Sequence, residues 1–214
     1  MKKVYITIIG LSCLAGSAFA AVIVQPTTFT SVGSIQGGSI DNTINGFGLS
    51  GALNTGDAVP GTLPTDSGAS FTTGVRWFVS DAQTQHISDI TFNLGGECDL
   101  ESVLFWNYDE DGNTDRGIKS VTASFSSDGL SFTGDTTLNF AEASGSLPIA
   151  GETVSMVASD VQYVKFTNFA DHADGGTLIG FSEIRFAAIP EPATASMLLG
   201  LGASLMVFLR RRLH

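Results

Sequence analysis

Apolar and polar residues alternate through the middle of this chain with a period of two. In ISDITFNL (87–94), Ile90, Phe92 and Leu94 fall on one side, Thr91 and Asn93 on the other. IKSVTASFSSDG (118–129) repeats the pattern with Val121, Ala123 and Phe125, and its Ser127-Asp128-Gly129 predicts a turn. VQYVKFTNF (161–169) puts Val164 and Phe166 on one face, and LIGFSEIRF (178–186) does the same with Ile184 and Phe186. A period of two is that of a half-buried β-strand. ESVLFWNY (101–108) is apolar on both faces from Val103 to Trp106, which predicts a central strand. No long segment has helical periodicity. The fold class predicted is all-β: an antiparallel β-sandwich of jelly-roll type, with its first and last strands close together. Residues 31–68 carry little regular signal and read as long ordered loops with a few short elements.

The two ends differ from this middle. Lys2 and Lys3 precede an apolar run from Val4 to Leu14, and Ala18-Phe19-Ala20 is a small-x-small box. Together they predict a secretory signal peptide over residues 1–20, cleaved after Ala20. At the other end, Pro190-Glu191-Pro192 leads into Ala193–Leu209, a stretch without charge, and then Arg210, Arg211 and Arg212. The prolines cannot lie inside a regular helix, so a helix starts after them. As a helix, 193–209 reaches about 25 Å, near the lower limit for a hydrocarbon core of about 30 Å. Basic clusters stay on the cytoplasmic side, which leaves the body of the protein outside. Ser196, Gly200 and Ser204 recur every four residues, a stripe that lets another helix approach or is simply tolerated in lipid.

Between these ends lies a body of 169 residues (21–189), the size of one domain. It holds 5 basic and 20 acidic side chains, a net of −15. Such a surface repels nucleic acid and anionic lipid, and suits calcium or neutral glycans better. With Cys13 in the signal peptide, Cys98 stands alone in the body, so no intramolecular disulfide forms there. It reads as a buried, inert thiol, with an intermolecular link as the alternative.

The loop WNYDEDGNTDRG (106–117) holds the densest candidate chemistry. Asn107, Asp109, Asp111, Asn113 and Asp115 alternate as at the start of a calcium loop. The twelfth position is Ile118 rather than a bidentate Glu, so the EF-hand pattern fails. Asp109, Asp111, Asn113 and Asp115 are the tentative calcium ligands. A solvated acidic turn paired with Arg116 is the other reading. For a ligand, Asn107, Tyr108, Asp109 and Arg116 are the predicted contacts: an aromatic face stacks on a sugar ring while amide and carboxylate groups bond its hydroxyls. Trp106 sits in a strand and reads as core, and Trp77 as buried under the long loops. His86 and His172 have no spaced partner and read as solvated loop residues. No nucleophile elbow, zinc-protease helix, phosphate loop or Cys-x-x-Cys occurs.

The tail PEP, apolar helix, arginine cluster (190–192, 193–209, 210–212) resembles the PEP-CTERM sorting signal of Gram-negative bacteria. That resemblance implies an exosortase-type membrane protease as partner, transient insertion in the inner membrane, and a final place at the cell surface or in an extracellular polysaccharide matrix. The order INGFGLSG, VRWFV, ITFNLGG, LESVLFWNYDE, DRGIKSVTASFSSDGLSFTG, VQYVKFTNF, IGFSEIRF, over about residues 40–187, resembles the discoidin, or galactose-binding-like, jelly rolls. It implies a structural calcium between an early loop, here Asn45 before Gly46, and the closing-strand Glu183. The usual Asp is Asn here. The function expected is that of an exported, non-catalytic protein binding extracellular polysaccharide. A matrix adhesion module and a glycoside-active hydrolase are the alternatives.

Overall fold

The computed structural model describes residues 20–32, 40–67, 78–81, 89–110, 113–173 and 178–190. They form eight strands: β1 (Val22–Val24), β2 (Thr28–Val32), β3 (Phe78–Asp81), β4 (Asp89–Asn107), β5 (Ile118–Ser126), β6 (Thr133–Asn139), β7 (Glu152–Asp171) and β8 (Leu178–Ile189). Every pairing between them is antiparallel.

Two long strands bend and thereby belong to two sheets. The first half of β4 pairs with β2 and with the second half of β7, which continues to β5 and β6. The second half of β4 pairs with the first half of β7 and with β8, which carries β1 and β3 on its far edge. β4 turns at Gly95, whose φ is +85°. A Cβ there would come within 2.8 Å of the Thr27 methyl. β7 turns at Asp160, held in the left-handed region at φ 56°. The Asp160 N–H donates to Asp99 Oδ1 at 3.1 Å, tying the two bends together.

The period-two reading of the sequence fixes the core. Ile90, Phe92, Val121, Ala123, Val164, Phe166, Ile184 and Phe186 are all buried, on the faces predicted. Phe92 meets Phe166 of its own sheet edge-on at 5.5 Å and Phe186 of the other at 5.8 Å, so the sheets share one interior. The first and last strands lie side by side, Val22 opposite Ala188.

A second, smaller core covers the outer face of the second sheet. The 3-10 turn Ile40–Thr43 leads to Ile44, which packs in the main core; the chain from Leu49 to Leu63 covers this outer face, and Leu53 packs with Ile23, Leu104, Trp106, Ile149 and Ala187. Trp106 is fully buried and its indole N–H donates to the Pro64 carbonyl at 2.8 Å. Both faces of 103–106 are thus covered, as the sequence predicted.

Candidate functional site

At one end of the sandwich, β4 passes into β5 through the loop 108–117. Asn107 builds this end. Its side-chain amide donates to the carbonyls of Ile118 (2.8 Å) and Ala141 (2.7 Å). Its oxygen accepts from the N–H of Ile118 (2.8 Å) and of Tyr108 (2.9 Å). One buried amide therefore ties the ends of β4, β5 and β6. Gly117 is needed beside it, since a Cβ there would fall 2.7 Å from Asn107 Oδ1.

Tyr108 turns inward and is fully buried. Its hydroxyl donates to Glu110 Oε2 at 2.5 Å, and Arg116 donates to the same oxygen at 2.8 Å. Burial, then the hydrogen bond to Glu110, push the Tyr108 phenol well above its ordinary range. Thr114 Oγ1 donates to Glu142 at 2.5 Å, and the N–H groups of His172 and Ala173 bond the carbonyls of Gly117 and Asp115.

Of the predicted ligand contacts, Asn107, Tyr108 and Asp109 are buried, and Arg116 keeps its side chain 29% exposed. The aromatic stacking expected of Tyr108 thus has no open ring face: the phenol serves the loop from inside. The surface of this end falls to Asn113, Asp115, Arg116 and Glu142. Sequence reasoning missed Glu142, which lies far along the chain and reaches the loop only through the β5–β6 pairing. Beside it opens a cavity of about 220 Å³ lined by Asn107, Glu142, Ser144 and Glu152 among others.

Of the tentative calcium ligands, Asp109 is buried, Asn113 and Asp115 are exposed, and Asp111 lies outside the described residues. Among the described residues no three His, Cys, Asp or Glu side chains gather as a metal site. Asn45 and Glu183 do not fit calcium. Asn45 Oδ1 accepts the Phe47 N–H at 2.8 Å. The Glu183 carboxyl accepts the Gly46 N–H at 3.0 Å and pairs with the guanidinium of Arg185, both groups fully buried. A fixed positive group beside Glu183 repels a second cation. Sequence reading gave Arg185 no role.

Cys98 is half-buried and its thiol donates to the Val161 carbonyl at 3.6 Å. His172 is half-buried, with Nε2 closed off from water, rather than a freely solvated residue. Trp77, His86, the signal residues Ala18 and Cys13, and Glu191, Pro192, Arg210, Arg211 and Arg212 lie outside the described residues; Ala20 and Pro190 are at their edges. Among the described residues no helix is long and apolar enough to cross a membrane.

Residues 188–212 match the PEP-CTERM protein-sorting motif, in agreement with the tail read from the sequence. That match marks the chain for export. No curated protein matches. Solved structures with similar folds include the CBM32 of AlyQ in complex with 4,5-unsaturated mannuronic acid (20% identity, 77% of this chain, 97% of that one, TM-score 0.46). Another is the family 32 CBM of C. perfringens NanJ in complex with galactose (14% identity, 78% and 98%, TM-score 0.46). A third is the F5/8 type C domain of a Bacteroides fragilis protein (12% identity, 79% and 97%, TM-score 0.48).

Proposed function

We propose that this is an exosortase substrate displayed at the cell surface, whose sandwich binds extracellular polysaccharide without catalysing a reaction on it. One observation carries the reading: the sorting segment and the loop 108–117 leave opposite ends of the same strand pair. The sorting match starts at Ala188, beside Leu100, and Ile189 lies opposite Asp99. The loop starts after Asn107, eight residues further along β4. At about 3.4 Å per residue that separates them by roughly 27 Å. While the tail is still inserted in the membrane, the domain points the loop end away from it.

The chemistry of that end suits sugar hydroxyls. Arg116, Asn113, Thr114 and Glu142 present donors and acceptors at the rim, and Asn107 and Tyr108 fix them from inside. A rim already held in one conformation loses little entropy on binding a flexible chain. A glycan array with protein purified from the native cell tests the reading. Binding that Arg116→Ala weakens about tenfold is the expected result. Self-association with no glycan bound would instead favour an adhesion module.

A further inference from the structure

The outer face of the first sheet, at the opposite end from the loop, has a composition unlike the rest of this acidic body. Strand register sets its side chains in rows. Thr28, Asn93 and Tyr163 stand opposite one another on β2, β4 and β7, and Thr30, Thr91 and Lys165 form the next row. A third row runs from Asp89 through Thr167 and Thr122 to Thr137. Their sequence neighbours Ile90, Phe92, Val164 and Phe166 fill the core, so these rows point outward. Strands lie about 4.8 Å apart and same-face residues about 6.7 Å apart along each. The result is a grid rich in hydroxyl and amide groups, with Val32 opposite Asp89 at its β2 edge. Its two charged members, Lys165 and Asp89, have opposite sign, and Lys165 Nζ is drawn over the Phe132 ring at 4.3 Å.

Tyr163 stands at a hollow in this grid. A cavity of about 260 Å³ is lined by Thr28, Phe29, Thr30, Thr91, Asn93, Gly129 and Tyr163. The ring is half-buried. The Ser126–Ser131 turn backs it, and a Cβ on Gly129 would come within 3.2 Å of the ring. Gln162 Nε2 lies 3.4 Å from the Tyr163 hydroxyl and 3.5 Å from Asn93 Oδ1. The ring and two polar groups are therefore held in place before any ligand arrives.

We propose that this face is a second docking surface, separate from the loop end, and that its occupant is an uncharged polysaccharide chain. Charge decides the class. The body carries 20 acidic side chains against 5 basic ones, so its net field disfavours an anionic polymer. A neutral chain meets no such barrier on this grid. Its hydroxyls find Thr28, Thr30, Thr91 and Asn93, and one sugar ring fits the hollow against Tyr163. Sites for small ligands combine an apolar wall with a few fixed polar groups in this way.

The test is retention of protein purified from the native cell on insoluble cellulose, curdlan, chitin and agarose, against calcium-free alginate as the anionic control. Retention by at least one neutral polymer and none by alginate is expected. Tyr163→Ala should weaken it about tenfold. Because that ring is half-buried, Thr30→Glu serves as a second variant: Thr30 is exposed, so the fold is kept while a charge enters the grid. It should weaken retention by a similar factor. Retention by none of the neutral polymers overturns the proposal. So does retention that neither Tyr163→Ala nor Thr30→Glu reduces. Loss with Arg116→Ala alone would credit the loop end and overturn this face.

Discussion

Glu183 and Arg185 stand two residues apart on the same side of β8, and their carboxyl and guanidinium groups meet with no contact to water. Both point away from the shared core, whose side of β8 belongs to Ile184 and Phe186. They are covered instead by the chain 44–67: Gly46 donates its N–H to Glu183, and Arg185 Nε donates to the Leu53 carbonyl at 3.3 Å. The arginine brings to this position a positive group that is part of the chain. Calcium is accordingly expected to give the same melting shift, whether nil or not, in the wild type and in Glu183→Gln. A calcium-dependent shift lost in Glu183→Gln would show Glu183 to be a ligand.

The same pair gives the stability a pH dependence. Burial raises the Glu183 carboxyl from its ordinary value to about 8, with Arg185 and the Gly46 N–H offsetting part of the rise. The folded state thus binds this proton more tightly than the unfolded chain does. Its contribution is full below the unfolded value, near 4.5, and is lost as pH climbs towards 8. Melting temperature should fall across that window, and Glu183→Gln should flatten the fall. Arg185→Met removes one partner of a buried pair, which costs about 3–5 kcal/mol. Urea denaturation would read that loss.

Asn107 is the keystone of the loop end. Asn107→Ala leaves the Ile118 N–H and the Ile118 and Ala141 carbonyls without this partner. Each buried orphan costs about 1–3 kcal/mol, so a loss of about 3 kcal/mol or more is expected. Asn107→Asp should do no better, because a carboxylate would face two carbonyl oxygens. Hydrogen exchange should quicken first at 108–118. A loss under about 1 kcal/mol would mean that the strand ends are held by other contacts.

The sandwich was legible because its strands bury one face: Ile90, Phe92, Val164 and Phe166 announce themselves by alternation. Strand continuity was not. Residues 87–94 and 101–108 read as two strands because Gly95 and Gly96 break the pattern, yet the backbone bends there without leaving the ladder. β6 and the first half of β7 were missed because their buried faces are sparse: Leu138 in one, Met156 in the other, among exposed Thr, Ser and Val157. The roles within the candidate site were less legible for a related reason. Asn107 and Tyr108 look like ligand groups by type, and only tertiary placement shows that their polar atoms satisfy the loop itself. Arg185 alternates with Ile184 and Phe186 and so lies on the face away from the shared core, and the cover by 44–67, which carries no periodic signal, makes it buried.

Cys98 should be a slow nucleophile. Burial first, and the neighbouring Asp99 second, raise its thiol from 9.0 to about 11. The thiolate is the reactive form, so it is scarce at neutral pH. Alkylation by iodoacetamide should rise about tenfold per pH unit from 7 to 10, as the thiolate fraction does below the pKa. A rate that levels off near pH 8.5 would mean that the thiol is unperturbed.

The last strand limits where the sorting tail can be cut. The match begins at Ala188, but Ala188 lies inside β8, opposite Val22 on one side and Leu100 on the other. Ala187 and Ala188 are buried, and Ala187 belongs to the small core with Ile23 and Trp106. Cleavage before Ala188 would take away part of the β8 edge that β1 pairs with, and cleavage before Ile189 would remove the residue that stands opposite Asp99 on β4. Pro190 is the first described residue after the strand. The mature protein should therefore begin after Ala20 and keep every residue to Ile189, with its new C-terminus at Pro190 or beyond. Intact-mass measurement on protein from the native cell reads both ends at once. A mature species ending before Ile189 would contradict the strand assignment, and one ending at His214 would contradict removal of the tail.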